Sequence, residues 1–224
     1  MTRKSGTRRK KGVKMQAVTQ HNEAITGIEE ARKYAAAHRK YAGPMYGGLV
    51  KSIRRLGLPG HYLEMGAGPG FLAVMLTERL PAIEITTVDL SPGMVTIAGE
   101  LIREKKLENR IHCLQGDAGD ERFLEKLGAF NLVYTAFSLH HWKEPEKALR
   151  NLWRSVQPGG ALCILDFRRI GWLCSMPVKW RDLEPIREAY TPKEVAAMFR
   201  RMGIRNYQSK TPFPYLFQII TVRK

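Results

Sequence analysis

The sequence predicts a three-layer α/β fold, and three observations support this. The run HYLEMGAGPG at residues 61–70 is apolar and ends in three alternate glycines. Apolar or β-branched runs then alternate with stretches of helical spacing through the middle of the chain. Acidic residues stand at or just past the ends of three of these runs. Alternating strands and helices are typical of a parallel sheet that is covered on both faces.

Length and composition favour a single domain. The chain has 224 residues, of which 44% are hydrophobic, and this is enough for a substantial core. No apolar segment approaches the ~18 residues of a membrane span, and we expect a cytoplasmic protein without a signal peptide. The three cysteines, Cys113, Cys163 and Cys174, lack the spacing of a disulfide framework or a metal site. We expect buried free thiols and no bound metal.

The net charge of +16 is concentrated at the N-terminus. Residues 1–14 contain seven Lys or Arg and no acid, which leaves +9 on the remaining 210 residues. We predict that residues 1–20 form a disordered basic tail and that residues 21–224 form the domain. The tail is either a solubilising extension or a site of nonspecific contact with nucleic acid.

Two leading helices are predicted within residues 21–59. Residues 25–41 carry Ile28, Ala31 and Ala35 toward one side, which is a helical spacing. A break at residues 43–44 (Gly-Pro) separates this helix from a second one at residues 45–56. A turn at residues 57–60 then leads to the first strand.

The glycine turn excludes two familiar cofactor sites. A dinucleotide fingerprint would need its third glycine at position 71, which holds Phe71, and no Gly-Lys-Ser/Thr follows for a phosphate loop. The spacing is instead G-x-G-x-G at Gly66, Gly68 and Gly70, before a helix at residues 71–80. Glu64 at the strand end favours a cationic ligand group, such as the ammonium of an amino acid.

Two further strands end near acids. Residues 84–90 form the second strand, and its Asp89 suits a pair of ribose hydroxyls. The alternative role of Asp89, as a helix cap, is already served by Ser91 for a helix at residues 92–106. The third strand, residues 110–115, runs into Asp117, while Asp120 caps a helix at residues 121–127.

These motifs resemble the class I S-adenosylmethionine-dependent methyltransferases. Their first motif, E/D-x-G-x-G-x-G, is matched by Glu64, Gly66, Gly68 and Gly70, and the order of the three strand-end acids adds specificity. The resemblance covers residues 60–167. It implies a Rossmann-like, seven-stranded, mostly parallel sheet with an antiparallel C-terminal strand, and S-adenosyl-L-methionine as cofactor.

The resemblance also implies roles for individual residues. Glu64 would hold the methionine ammonium through the turn, Asp89 the ribose, and Asp117 with the backbone of Ala118 the adenine. The remaining residues expected to contact the cofactor are Ala67, Leu90 and Thr135.

The fourth strand, residues 130–137, and the loop at residues 138–142 face the transferable methyl in this family. With a helix at residues 144–156, a turn at 157–160 and a fifth strand at 161–167, they resemble quinone-biosynthesis C-methyltransferases and many small-molecule methyltransferases. Asn131 replaces the family's usual acid, at the strand end remote from the methyl. His140 and His141 are either a general base or a packed or solvent-facing pair.

Two chemistries on nucleobases are disfavoured. Residues 135–138 read Thr-Ala-Phe-Ser in place of the Asn/Asp-Pro-Pro-Tyr/Phe of many amino methyltransferases. Cys174 lacks the Pro-Cys or Thr-Cys setting of a cytosine C5 nucleophile. We therefore predict methyl transfer to a small-molecule acceptor. The alternatives are an RNA or ribonucleoprotein target docked through the tail, and a non-catalytic cofactor-binding subunit.

The acceptor pocket is predicted from aromatic residues. Residues 168–191 are expected to form an irregular lid over the acceptor, with Arg168 and Trp172 as contacts. Phe137 is a further pocket candidate. Tyr41 and Tyr46 are pocket candidates too, or belong to the core. Residues 192–202 are predicted as a helix that Thr191 caps, and residues 204–210 and 215–223 as an antiparallel hairpin.

Overall fold

A computed structural model describes residues 25, 27–174, 183–213 and 215–224. Within them, seven strands form one sheet in the order β3-β2-β1-β4-β5-β7-β6. The strands are β1 (Gly60–Met65), β2 (Ile83–Asp89), β3 (Ile111–Gln115), β4 (Phe130–Ala136), β5 (Val156–Phe167), β6 (Gln208–Lys210) and β7 (Phe217–Arg223). β1 to β5 are parallel, and β7 is antiparallel to both β5 and β6. This confirms the predicted fold class. The predicted tail, residues 1–20, lies outside the described residues.

The helices cover both faces of this sheet. They are α1 (Ile28–Arg39), α2 (Ala42–Leu56), α3 (Phe71–Arg79), α4 (Pro92–Glu104), α5 (Glu121–Leu127), α6 (Pro145–Arg154), α7 (Gly171–Cys174), α8 (Glu184–Glu188) and α9 (Pro192–Arg201), with a single 3-10 turn at Leu139–His141. Successive residues along the strands point to opposite faces of the sheet and pack into two apolar clusters, one on each face. Tyr62 packs with α2, α3 and α4, whereas its neighbour Leu63 packs with α5, α6 and α9. The domain therefore has three layers.

The predicted caps of three helices are present. Ser91 accepts a hydrogen bond from the amide of Met94 at the start of α4, and Asp120 accepts one from Phe123 at the start of α5. Thr191 and Glu194 form a reciprocal capping box at the start of α9. Each such cap contributes about 1 kcal/mol by satisfying amides that the helix leaves unpaired.

Three local predictions were wrong. Pro44 does not break the second helix but lies in the first turn of α2, where its missing N–H has no helical partner to lose. Residues 157–160 are not a separate turn, because β5 begins at Val156 and its register with β4 shifts between Phe130 and Leu132. Residues 168–191 are not wholly irregular, since they include α7 and α8. Residues 175–182 of this segment lie outside the described residues.

The cysteine prediction holds in part. The three thiols are free, but only Cys163 is buried, whereas Cys113 and Cys174 are half-buried. The described part of the chain contains no helix that is long and apolar enough to cross a membrane.

The amino ends of the parallel strands are fixed by polar side chains. The guanidinium of Arg110 donates to the carbonyl oxygens of Thr77, Leu80 and Ile83, which joins the end of α3 to the start of β2. Asn131 Oδ1 accepts a hydrogen bond from the amide of His61 at 2.9 Å. These residues lie at the edge of the sheet opposite to the glycine turn, as expected for Asn131.

Candidate active site

The glycine turn lies where the strand order reverses, between β1 and its neighbours β2 and β4. Ligands of open α/β sheets bind outside the carboxyl ends of the strands at this point. The amides of Gly66 and Ala67 donate to the carbonyl of Val88, which ties the turn to β2. Gly68 has a φ of +53°, and a Cβ there would meet nothing within 4 Å. The turn is thus an open cradle.

Asp89 lies across the turn from β1. Its Oδ2 accepts a hydrogen bond from the amide of Gly68 at 2.7 Å, and its Oδ1 accepts one from Ser91 at 2.9 Å. A carboxylate has about four acceptor positions, so both oxygens retain capacity for a ligand's hydroxyls. Burial raises the pKa of Asp89, although its backbone hydrogen bonds oppose this effect.

Leu90, which follows β2, and Asp117, which follows β3, lie at the same edge of the sheet as Asp89. The side chain of Leu90 is 54% exposed beside Asp89, and its carbonyl accepts a hydrogen bond from Gln115 Nε2 at 3.2 Å. Asp117 is exposed, and its Oδ1 accepts from the amide of Gly119 at 2.8 Å. Ala118 is buried. The structure therefore brings the predicted ribose and adenine residues to one edge.

Glu64 is buried at the end of β1, with only 2% of its surface exposed. The hydroxyl of Tyr134 donates to its Oε2 at 3.2 Å. Loss of solvation raises the pKa of Glu64 to about 8, and the nearby Asp89 raises it further. Within the described residues, Glu64 forms no ion pair with a Lys or Arg. A buried acid without a cationic partner fits a positively charged ligand group.

The loop after β4 packs on the turn and carries the two histidines. Ser138 Oγ donates to the carbonyl of Gly66 at 3.1 Å. His140 is buried, and its Nδ1 lies 2.6 Å from Asp166 Oδ1, while its amide donates to Asp166 Oδ2 at 3.0 Å. Asp166 is buried at the end of β5. The ring of His141 lies 3.9 Å from that of His140 but is exposed, so only His140 is held rigidly.

Aromatic rings surround this loop. Phe137 has a φ of +55°, which is uncommon for a residue with a side chain. Its ring centroid lies 4.9 Å from that of Phe167, 5.4 Å from Phe217 and 5.8 Å from Tyr46. We call these four residues the aromatic cluster. The ring of His140 contacts the ring of Phe167 in this cluster edge-on, with 5.5 Å between the ring centroids.

The other predicted acceptor residues are Tyr41, Arg168 and Trp172, and Arg168 directly follows Phe167 of this cluster. Tyr41 is exposed, with Lys40 Nζ 4.8 Å from its ring centroid. Arg168 Nε donates to the carbonyl of Tyr215 at 3.1 Å. Trp172 is 71% exposed on α7.

Sequence reasoning missed four residues of this site: Tyr134, Asp166, Phe167 and Phe217. Asp166 had a readable signal, because it is a fourth acid at a strand end, in the run ILDF. Tyr134 had none, since an aromatic residue inside an apolar strand is most often core. Its partner becomes visible only from the register that pairs Glu64 with Tyr134.

The residues present fit S-adenosylmethionine. Gly68 leaves open space for a ligand beside the turn. Glu64 is a buried acid that can pair with the ammonium of the ligand, and the carboxylate of Asp89 can accept hydrogen bonds from ribose hydroxyls. The buried hydroxyl of Thr135, at the same edge, has no hydrogen-bond partner among the described residues. A seven-stranded sheet with this turn and these strand-end acids defines the class I S-adenosylmethionine-dependent methyltransferases.

Comparison with known proteins agrees with this class. Residues 63–164 match a family model described as a methyltransferase domain. The chain is 38% identical over 109 residues to a demethylmenaquinone methyltransferase of Thermus thermophilus, covering 49% of this chain and 48% of that protein. It is 31% identical over 157 residues to one of Porphyromonas gingivalis, covering 64% and 63%. The chain thus spans about half to two thirds of these relatives.

Solved structures share the fold. An O-methyltransferase family protein from Burkholderia thailandensis has a TM-score of 0.73 at 18% identity, over 87% of this chain and 59% of that chain. A protein from Methanococcus maripaludis, described as an S-adenosylmethionine-dependent methyltransferase, has a TM-score of 0.71 at 19% identity, over 93% and 97%.

Proposed function

We propose that this protein transfers a methyl group from S-adenosylmethionine to a ring carbon of a reduced quinone. The observation that carries the proposal is the placement of one buried histidine, His140, between the glycine turn and an aromatic cluster. Two relatives are named as demethylmenaquinone methyltransferases. A flat aromatic acceptor also suits a surface formed by the rings of Phe137, Phe167 and Tyr46.

The cofactor is held by the carboxyl edge of the sheet. Glu64 pairs with its ammonium, Asp89 accepts from the ribose hydroxyls, and Asp117 with Ala118 contacts the adenine. Leu90 and Thr135 lie along the same edge, and Ala67 with the three glycines forms the cradle. When bound, S-adenosylmethionine supplies a methyl group on a sulfonium, which is already activated for displacement.

His140 acts as the general base. A hydroquinone ring carbon becomes nucleophilic when a ring hydroxyl loses its proton. Asp166 fixes the Nδ1 side of His140, which leaves Nε2 to accept that proton. Within the described part of the chain, Nε2 of His140 has no hydrogen-bond partner. After the new C–C bond forms, the ring carbon loses its own proton and the ring regains aromaticity. The neutral thioether S-adenosylhomocysteine is the other product.

The other residues of the site position the acceptor relative to the methyl group. The aromatic cluster orients the ring and excludes water, so that the acceptor carbon lies within ~3–3.5 Å of the methyl group. No metal has a role in this scheme. His141 stacks on His140 and serves as its support, not as a second base.

The proposal is tested by methyl transfer to reduced demethylmenaquinone, with His140→Ala compared with His141→Ala. We expect His140→Ala to lower kcat by about 10²–10⁴-fold, the usual contribution of a general base, with unchanged affinity for S-adenosylhomocysteine. His141→Ala should lower it far less.

Full activity in both variants would show that proximity alone drives the reaction. Binding of S-adenosylhomocysteine without transfer to any reduced quinone would overturn the acceptor but keep the cofactor. Absence of S-adenosylhomocysteine binding by the folded protein would overturn the proposal as a whole.

A further inference from the structure

We propose that Tyr134 is a positioning residue that controls the ionisation of Glu64, so that binding of the cofactor's ammonium releases one proton from the protein. This inference rests on the proposed function, because it concerns the same cofactor. It adds a residue that the sequence did not indicate and a pH dependence that the fold class does not require.

The geometry of the pair is tightly constrained. Glu64 and Tyr134 are register partners on β1 and β4, and their side chains meet at 3.2 Å with both residues buried. Tyr62 packs edge-on against Tyr134 at 6.4 Å between ring centroids. The hydroxyl of Tyr62 is used elsewhere, since it donates to the carbonyl of Leu58. Tyr134 therefore has its hydroxyl directed at Glu64.

Among the described residues, the titratable groups that act on Glu64 come from four elements and none of them is a cation. They are Asp89 on β2, Tyr46 on α2, Cys113 on β3 and Tyr134 on β4. The backbone amide of Ala73 on α3 also favours the carboxylate form of Glu64. Every titratable group in this set is neutral or negative, so ionised Glu64 has hydrogen-bond donors but no compensating charge.

Burial consequently raises the pKa of Glu64 to about 8. At neutral pH most of the ligand-free protein carries a protonated Glu64. An ammonium that docks beside it supplies the missing positive charge and favours the carboxylate. The displaced proton passes to solvent. The hydrogen bond from Tyr134 also favours the carboxylate, so Tyr134 sets the pH at which this exchange occurs.

The sign of the effect follows from linkage. Because the bound form holds fewer protons, affinity for the cofactor increases with pH below the pKa of Glu64 and levels off above it. Well below that pKa, affinity should change by about tenfold for each pH unit. Methylthioadenosine, which has the same nucleoside but no amino acid, should lack this component.

The experiment is calorimetric titration of the full chain with S-adenosylhomocysteine from pH 6 to 9, in buffers that differ in ionisation enthalpy. We expect about one proton released per ligand near pH 6.5 and almost none at pH 9. Methylthioadenosine is the matched ligand, and Glu64→Gln should abolish the difference between the two ligands.

Tyr134→Phe tests the positioning role. Its loss of one hydrogen bond should shift the midpoint of the affinity profile upward by about 0.5–1 pH unit, which corresponds to about three- to tenfold weaker binding at pH 7. At pH 9 its affinity should lie within about twofold of that of the wild type. Tyr62→Phe is the control, since it removes a neighbouring hydroxyl that does not touch Glu64.

Three outcomes separate the ideas. S-adenosylhomocysteine binding without any proton release overturns the inference and leaves the proposed function intact. An unchanged midpoint in Tyr134→Phe, or an equal shift in Tyr62→Phe, overturns the role of Tyr134. Failure of the wild-type protein to bind S-adenosylhomocysteine at any pH overturns the proposed function first.

Discussion

Gly66 and Ser138 are in direct contact, and the contact leaves no room for a side chain at Gly66. A Cβ at this position would overlap Ser138 Oγ, and the φ of Gly66 is +72°. Ser138 in turn donates to the carbonyl of Gly66 at 3.1 Å. The cradle after β1 and the loop that carries His140 are therefore built as one unit.

Gly66→Ala should disrupt both parts of this unit. The positive φ costs a residue with a Cβ about 1 kcal/mol, and the overlap with Ser138 adds to it. We expect a lower Tm together with at least tenfold weaker binding of S-adenosylhomocysteine, measured by thermal denaturation and calorimetry. Gly47→Ala is the matched control, because a Cβ there meets nothing within 4 Å. In α2 it should stabilise the protein by about 0.5–1 kcal/mol. Wild-type binding by Gly66→Ala would contradict the proposed cradle.

Asp89→Ala should weaken the cofactor complex. If Asp89 accepts from both ribose hydroxyls, its loss should cost about 1.5–3 kcal/mol, which is about ten- to hundredfold in Kd for S-adenosylhomocysteine. Thr191→Ala is the comparison, since it removes the helix cap at the start of α9 and should cost about 1 kcal/mol of stability alone. Equal Kd values for Asp89→Ala and the wild type would remove Asp89 from the site.

The contribution of His141 to stability should fall as the pH is lowered from about 7 to 5, while the raised pKa of Glu64 gives a contribution of the opposite sign. His141 is exposed overall, but its ring packs against His140. Loss of solvation and the neighbouring His140 lower the pKa of His141, so the unfolded chain binds this proton more readily than the folded one. The resulting stability is present above the ordinary pKa of a histidine and is lost below it. His141→Gln should remove this contribution, so that the Tm at pH 5 relative to that at pH 7 is higher than in the wild type, whereas a change at the exposed His112 should leave the profile as it is. An identical slope for His141→Gln would contradict the assignment.

Arg110→Met should destabilise the protein without affecting the cofactor. Its guanidinium donates to carbonyls of Thr77, Leu80 and Ile83, and leaving these groups unpaired should cost about 2–4 kcal/mol. Denaturant unfolding measures this cost, with Arg122→Met on the exposed face of α5 as the control. Because Arg110 lies at the other edge of the sheet, affinity for S-adenosylhomocysteine should not change. A large loss of affinity in a folded variant would contradict this separation.

The sequence predicted the strands and caps because these depend on local patterns. The G-x-G-x-G turn and the N-caps at Ser91, Asp120 and Thr191 involve residues within a few positions of each other. The pairs that complete the site are distant in sequence. Tyr134 meets Glu64 across 70 positions, and His140 meets Asp166 across 26. Such pairs depend on strand order and register, which no local pattern encodes.

The wrong predictions have a common cause. Pro44 and the glycines at 159–160 were interpreted by their usual roles in turns. The amides of the first helical turn have no acceptor within the helix, so Pro44 loses no hydrogen bond there. A β-bulge accommodates extra residues without ending a strand. Both positions are compatible with regular structure once neighbouring elements stabilise it.

The aromatic cluster has an evolutionary consequence. Tyr46, Phe167 and Phe217 come from α2, the end of β5 and the start of β7, and all three lie outside residues 63–164, the segment that matches the methyltransferase family model. The residues proposed to bind the cofactor, from Glu64 to Ala118, lie inside this matched segment. Substitutions at these three positions would therefore alter the aromatic cluster without touching the segment that carries the proposed cofactor residues.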